Sequence, residues 1–231
     1  MITVYSCVTG DYDNFHKTIL ASAVLPDTTD TVEYVLYTDN LFDKEYTNKA
    51  SGITWQIRPL IWKHQFCNTR TARFHKVNSH LVAPNSDFSV WVDGSHTIKY
   101  IKLWEELHKY IKPEIPVYTF KHPIRTCVYQ ELAACIKYKK DHPDIMQKQI
   151  KRYKKESYPP YAGMVETACV VRRHTSEVTL FNKMWWDEIN RGSYRDQLSF
   201  NYVARKLNLP YDFIPGERDK SPFFLYKPHK S

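Results

Sequence analysis

Glycine is scarce in this chain, with six residues among 231, and it is outnumbered by thirteen prolines. Such a composition excludes low-complexity sequence. Neither a Gly-rich dinucleotide fingerprint nor a P-loop occurs. Cysteine is also sparse and odd in number: Cys7, Cys67, Cys127, Cys135 and Cys169 are widely scattered and form no CxxC pair. That argues against a structural zinc site and against a disulfide framework, and the expected setting is reducing and cytoplasmic. No apolar stretch reaches the roughly 20 residues of a membrane span. The segment Met1–Val8 is short and alternating, with no basic start, and reads as a first strand rather than a signal peptide. No internal repeat and no linker-like stretch interrupts the chain, so one domain over 1–231 is expected.

What is present points to a folded protein with an anionic partner. Hydrophobic residues make up 42% and aromatic ones 15%, enough for a substantial core at this length. The net charge of +8 favours phosphates, an acidic membrane surface or nucleic acid. The basic residues are spread over several elements and no recognised nucleic-acid motif occurs, so nucleic acid is not expected. Strand patterns at Ile2–Val8, Val32–Tyr37, Ile53–Ile57, Phe88–Val92, Val117–Phe120 and Cys169–Arg172 alternate with helical spacing. The helical stretches are Asn68–Leu81, one after Asp93 on Ile98, Ile101, Trp104, Leu107 and Ile111, and one on Ile124, Val128, Leu132 and Ile136. Others lie on Met146, Ile150 and Tyr153, on Val178, Phe181, Trp185 and Ile189, and from Ser193 to about Leu207. The order predicts an α/β fold with a mostly parallel central sheet flanked by helices and a helical C-terminal part.

The most informative feature is Trp91-Val92-Asp93-Gly94-Ser95, at the end of the run Phe88–Val92. A strand that stops there puts a carboxylate at the carboxyl edge of the sheet, where open α/β folds bind ligands. Such a carboxylate suits a hard divalent cation shared with a diphosphate. Upstream, Arg70, Arg73 and Lys76 recur every third residue and would share one helical face. An ordinary turn for Asp93-Gly94 and a solvated face for the cations are the plainer readings.

Three segments together resemble a known family. They are Arg70-Thr71-Ala72-Arg73-Phe74-His75-Lys76 leading into Trp91-Val92-Asp93-Gly94-Ser95; His122-Pro123-Ile124-Arg125-Thr126-Cys127-Val128-Tyr129-Gln130-Glu131; and Val171-Arg172-Arg173-His174 followed by Trp185–Ile189 and Ser193–Phe200. In these the chain resembles the glycosyltransferase-like domain of the TOD/MUCI type, within the GT-A superfamily, from about residue 1 to 207. The resemblance implies a GT-A, Rossmann-like fold and transfer of a sugar from a nucleotide-diphospho-sugar, UDP-sugar favoured, with Mn²⁺ or Mg²⁺. The acceptor it implies is a glycan or lipid-linked hydroxyl, as in polysaccharide biosynthesis. The usual Asp-x-Asp pair is reduced here to the single carboxylate of Asp93-Gly94-Ser95, so further metal ligands are sought at His96 or in Pro228-His229-Lys230, with His229 as the tail candidate.

On that footing Thr9, Gly10 and Asp39, with Arg70, Arg73 and Lys76, are expected to hold the nucleotide, and Asp93 and His229 the metal. Asp11 shares the first loop with Thr9 and Gly10. Asp196 and Glu166 are the candidate catalytic carboxylates. For Asp196 a capping box with Ser193 competes. His122, Arg125, His174 and Trp186 are candidates for sugar or acceptor, with structural histidines and core packing as the alternatives. Trp185 is expected in the core. The basic run Lys148–Lys155 reads as a solvated face or as a peripheral contact with an anionic membrane. Two other functions stay open: a metal-dependent hydrolase of a lipid or glycan, and a non-catalytic polyanion-binding protein.

Overall fold

The computed structural model describes residues 1–10, 32–40, 44–47, 53–99 and 103–226. Asp11, Ile101, Pro228, His229 and Lys230 lie outside them. Among the described residues the central sheet has eight strands: β1 (Ile2–Val8), β2 (Val32–Thr38), β3 (Glu45–Thr47), β4 (Thr54–Pro59), β5 (Phe88–Val92), β7 (Val117–Lys121), β8 (Val165–Arg173) and β9 (Tyr211–Phe213). Their order is β3-β4-β2-β1-β5-β8-β7-β9. β4, β2, β1 and β5 pair in parallel, as do β7 and β9, while β3 and β8 run against their neighbours. The fold is thus the expected mixed α/β, Rossmann-like one. β1, with all seven residues buried, and β8, with eight of nine buried, are near-continuous apolar runs, as strands covered on both faces must be.

One face of the sheet packs on helices α1 (Asn68–Val77), α4 (Val128–Lys137), α5 (Pro143–Lys155), α6 (Ser176–Arg191) and α7 (Gln197–Lys206), around Tyr5, Trp91, Trp185 and Phe200. A short α2 (Ser79–Val82) follows α1. The other face buries Trp55, Trp104, Phe120 and Phe224 under α3 (Leu103–His108) and a small ribbon, β6 (His96–Ile98) antiparallel to β10 (Phe224–Tyr226). Pro143 starts α5 at a position where its missing N–H costs nothing, and the Thr175 hydroxyl caps α6 by accepting from the Val178 N–H at 3.3 Å.

Two helical expectations need correction. After Asp93 the chain first forms β6, because residues 96–98 pair with the C-terminal strand, and the helix there is only Leu103–His108. Ile124 does not begin a helix: it is 80% exposed in a turn whose N–H groups at Ile124 and Arg125 donate to His122 Nδ1, and α4 starts at Val128.

The amino-terminal half of β8 is irregular. Adjacent Thr119 and Phe120 of β7 face Val170 and Glu166, so residues 167–169 are extra on the β8 side. The Thr119 hydroxyl closes this bulge on the carbonyls of Glu166 (2.9 Å) and Cys169 (2.7 Å). Such bulges re-aim side chains at a strand end.

Candidate active site

The carboxyl ends of β1, β2, β5 and β7 deliver Thr9, Asp39, Asp93 and His122 to one edge, and β8, running the other way, begins there with Val165, Glu166 and Thr167. At its centre Lys76, in the last turn of α1, is 1% exposed. Its ammonium lies 2.6 Å from Asp196 Oδ2, 3.2 Å from Asp93 Oδ1 and 3.2 Å from Thr167 Oγ1. Arg73, one turn earlier, pairs with Asp196 Oδ1 at 3.2 Å. Thr167 donates to Asp196 Oδ2 at 2.7 Å, and Trp91 Nε1 donates to Asp93 Oδ1 at 2.6 Å.

The two aspartates differ in access. Asp196 is 2% exposed, with both oxygens paired and its carbonyl held by Trp185 Nε1 at 3.0 Å. Burial would push its carboxyl up, but Arg73, Lys76 and Arg195 outweigh that and hold it well below the usual range. Asp93 is 27% exposed. Burial opposes its ionisation too, and Lys76 and Arg73 again prevail. Its Oδ2 makes no hydrogen bond among the described residues. Asp93 is thus an ionised, partly exposed carboxylate with one oxygen unengaged among the described residues, backed by a buried, charge-paired cluster.

Along the same edge Asp39 ties the first loop: its Oδ1 accepts the Gly10 N–H at 2.9 Å and its Oδ2 pairs with Lys63 at 2.9 Å. The Thr9 hydroxyl donates to the Asn68 carbonyl at 3.2 Å. Gly10 has φ +61°, and a Cβ there would stand 2.5 Å from the Asn68 side chain. Toward β7, Glu166 is 9% exposed at its side chain and pairs loosely with Arg218 at 3.4 Å, while Oε2 has no partner among the described residues. Burial raises its carboxyl above the ordinary value, with Arg218 opposing. His122, Arg125 and the Glu131 carboxylate form a knot that clamps the turn to α4. Burial, aided by Arg125, lowers the His122 imidazole to about 4.

Other expected residues stand elsewhere. Arg70 turns its guanidinium onto the carbonyls of Ile189 and Gly192 at the end of α6, the second at 2.7 Å, so its cation is absorbed by a helix terminus. Arg73 and Lys76, on the same face, do reach the site. His174 lies at the amino edge, its N–H on the Asp87 carbonyl at 2.8 Å, the opposite side from Asp93. Trp186 packs edge-on against Trp62 and Phe74, outside the polar cluster, and Trp185 is fully buried. Asp196 does not cap α7 through its side chain, and the Ser193 hydroxyl donates to Asp141 Oδ2 at 2.6 Å, so the capping box is not formed.

Among the described residues no group of three His, Cys, Asp or Glu side chains could hold a metal. Asp93 Oδ2 offers one ligand; its other oxygen is already held by a lysine and an indole. The 1% exposed His96 holds Ser95 Oγ at 3.1 Å through Nδ1, and burial lowers its imidazole to about 4. These residues alone therefore do not fit a divalent cation.

Sequence reasoning missed Thr167, Arg218 and Arg172. The last is fully buried with no carboxylate partner among the described residues, and its guanidinium donates to the carbonyls of Lys76 (2.6 Å) and Val77 (3.0 Å) and to Tyr5 Oη (2.8 Å), fixing the end of α1 that carries Lys76. An arginine inside the run Cys169–Arg172 was the available signal, since a charge in a buried strand needs a dedicated partner.

No helix among the described residues is long and apolar enough to cross a membrane. Two relatives from Arabidopsis thaliana are similar to this chain. The alkaline ceramidase TOD1 is 28% identical over 138 residues, 56% of this chain and 30% of the relative. The probable hexosyltransferase MUCI70 is 26% identical over 169 residues, 69% of this chain and 29% of the relative. The chain thus spans under a third of the length of either. The TOD1/MUCI70, glycosyltransferase-like domain family matches residues 1–220, and the chain belongs to that family.

Proposed function

We propose that this chain is a glycosyltransferase that takes a sugar from a nucleotide-diphospho-sugar, UDP-sugar favoured, and passes it to a hydroxyl of a glycan or lipid-linked acceptor. The observation that carries the reading is Asp93: a partly exposed, ionised carboxylate at a strand end, backed by the buried Lys76–Asp196–Arg73 cluster. Thr9, Gly10 and Asp39 would receive the nucleoside beside it. Arg73 and Lys76 lend positive potential where negative charge develops on the departing diphosphate, a contribution that preorganised groups make without reorganising. Asp196 fixes those two cations in place, and its deep pairing makes it a poor base. Glu166, raised by burial, is the better-matched carboxylate for the acceptor hydroxyl.

Mn²⁺ or Mg²⁺ remains part of the proposal only as an ion carried by the donor's diphosphate, with Asp93 and the tail residue His229 as further ligands. The exposed Lys148, Lys151, Lys154 and Lys155 of α5 would suit a peripheral contact with an anionic membrane, while Arg152 is engaged by Glu188 at 2.5 Å.

Calorimetric titration with UDP and GDP, with and without Mn²⁺, tests the reading on the wild-type chain and on Asp93→Ala. Binding of one nucleotide that disappears in a variant with unchanged circular dichroism is the expected outcome. No binding of either, or binding indifferent to the substitution, would overturn it. The relative named a ceramidase motivates a second reading, hydrolysis of a lipid amide; release of fatty acid from ceramide without any nucleotide would favour that one.

A further inference from the structure

Next to Asp93, on the β6/β10 side of the edge, a second polar group has no part in the phosphate chemistry. Arg218 is its centre. This arginine pairs with Glu166 at 3.4 Å, forks onto Asp219 at 2.6 and 3.1 Å, and lies over the Tyr226 ring at 4.7 Å. The Tyr226 ring in turn meets His96 at 5.3 Å, and the His96 N–H donates to the Asp93 carbonyl at 2.9 Å. Two buried polar atoms in this group have no partner among the described residues: Glu166 Oε2, on a side chain 9% exposed, and His96 Nε2, on a residue 1% exposed. A buried polar atom without a partner carries a desolvation cost that a ligand can recover.

The charge of the group says which ligand. Glu166, Asp219 and the neighbouring Glu131 set three carboxylates against the guanidiniums of Arg218 and Arg125. That balance disfavours an anion, in contrast to the Lys76–Arg73 side. A neutral polyol fits instead, with a hydroxyl donating to Glu166, another meeting His96, and a ring face against Tyr226. We propose that Glu166, His96, Arg218 and Tyr226 form the subsite for a neutral acceptor sugar, so that the C-terminal segment carrying Arg218 and Tyr226 supplies half of it. Used for transfer, and resting there on the glycosyltransferase reading, the subsite holds the acceptor hydroxyl at Glu166. The acceptor oxygen bonds to the anomeric carbon as that carbon's bond to the diphosphate oxygen breaks. The electron pair leaves with the nucleoside diphosphate and the hydroxyl proton passes to Glu166.

Saturation-transfer NMR on the full chain tests this with methyl β-glucoside, β-galactoside and β-xyloside as neutral probes and galacturonate as the anionic one. The variants are Tyr226→Ala and the isosteric Glu166→Gln, which keeps the fold if the first does not. A neutral glycoside signal in the wild type that falls about tenfold in both folded variants, the loss of one charged-group hydrogen bond or its equivalent, is the expected result. It should survive in Asp93→Ala, so a failed nucleotide titration would sink the transferase reading and leave the sugar subsite standing. Absence of any neutral glycoside signal, a preference for galacturonate, or equal signals in Glu166→Gln would overturn the subsite.

Discussion

At the scale of single residues, Lys76 shows what a buried charge requires. Its ammonium has three protons and three partners, Asp196, Asp93 and Thr167, all within 3.2 Å. Removing one member of such a pair leaves the other charge uncompensated in the interior. Lys76→Met is therefore expected to destabilise the chain by about 3–5 kcal/mol. Urea denaturation of that variant checks this, and adding Asp196→Asn should restore part of the loss; a Lys76→Met protein as stable as wild type would show that the pair is not buried in solution. The three-residue spacing of Arg70, Arg73 and Lys76 made a shared helical face legible, and Asp93 was legible as a strand end. What spacing could not tell is what each long side chain meets at its far end. Arg70 meets the carbonyls closing α6, more than a hundred residues later in sequence. The same limit applies at Asp196, where a local capping pattern lost to Lys76 and Arg73, because two cations at 2.6 and 3.2 Å bind a carboxylate more strongly than a backbone N–H does.

At the scale of elements, the loop after β1 depends on one glycine. At φ +61° an L side chain is strained, and a Cβ on Gly10 would press on Asn68 at the start of α1. Gly10→Ala should lower stability by about 1 kcal/mol and, through displacement of Asp39 and its bond to the Gly10 N–H, weaken nucleotide binding more than that figure implies. Thermal melting beside the nucleotide titration checks it; a melt unchanged together with full affinity would place the loop away from the ligand. Strands β1, β2, β5 and β7 could be read from their own patterns because each is an unbroken apolar or alternating run. β6 and β10 could not. Each has three residues and exists only through pairing with the other across more than a hundred positions, so no local pattern marks them. The direction of β8 was hidden for the same reason, and the extra residues 167–169 look in sequence like more strand.

At the scale of the whole molecule, at least four imidazoles among the described residues are kept neutral by burial. His75, His96, His122 and His174 each fall from 6.5 to about 4. Between those values the unfolded chain takes up protons that the fold refuses, so stability should decline as pH drops from about 6.5 toward 4. Asp93 and Asp196, held low by Lys76 and Arg73, add a further loss only below the ordinary carboxylate range. Melting temperatures from pH 7 to pH 4 check the sign, and a flat profile over that interval would mean that water reaches these rings. The α/β alternation, the carboxylate at the end of β5 and the cationic face before it were determined by the sequence alone, because each rests on contacts or periodicities a few residues long. Which cations reach Asp93, which carboxylate is sealed and which left open, and how a C-terminal arginine comes to lie on Glu166 were decided only by the tertiary structure. Those outcomes depend on burial and on pairings between distant segments, whose energies no local pattern of side chains contains.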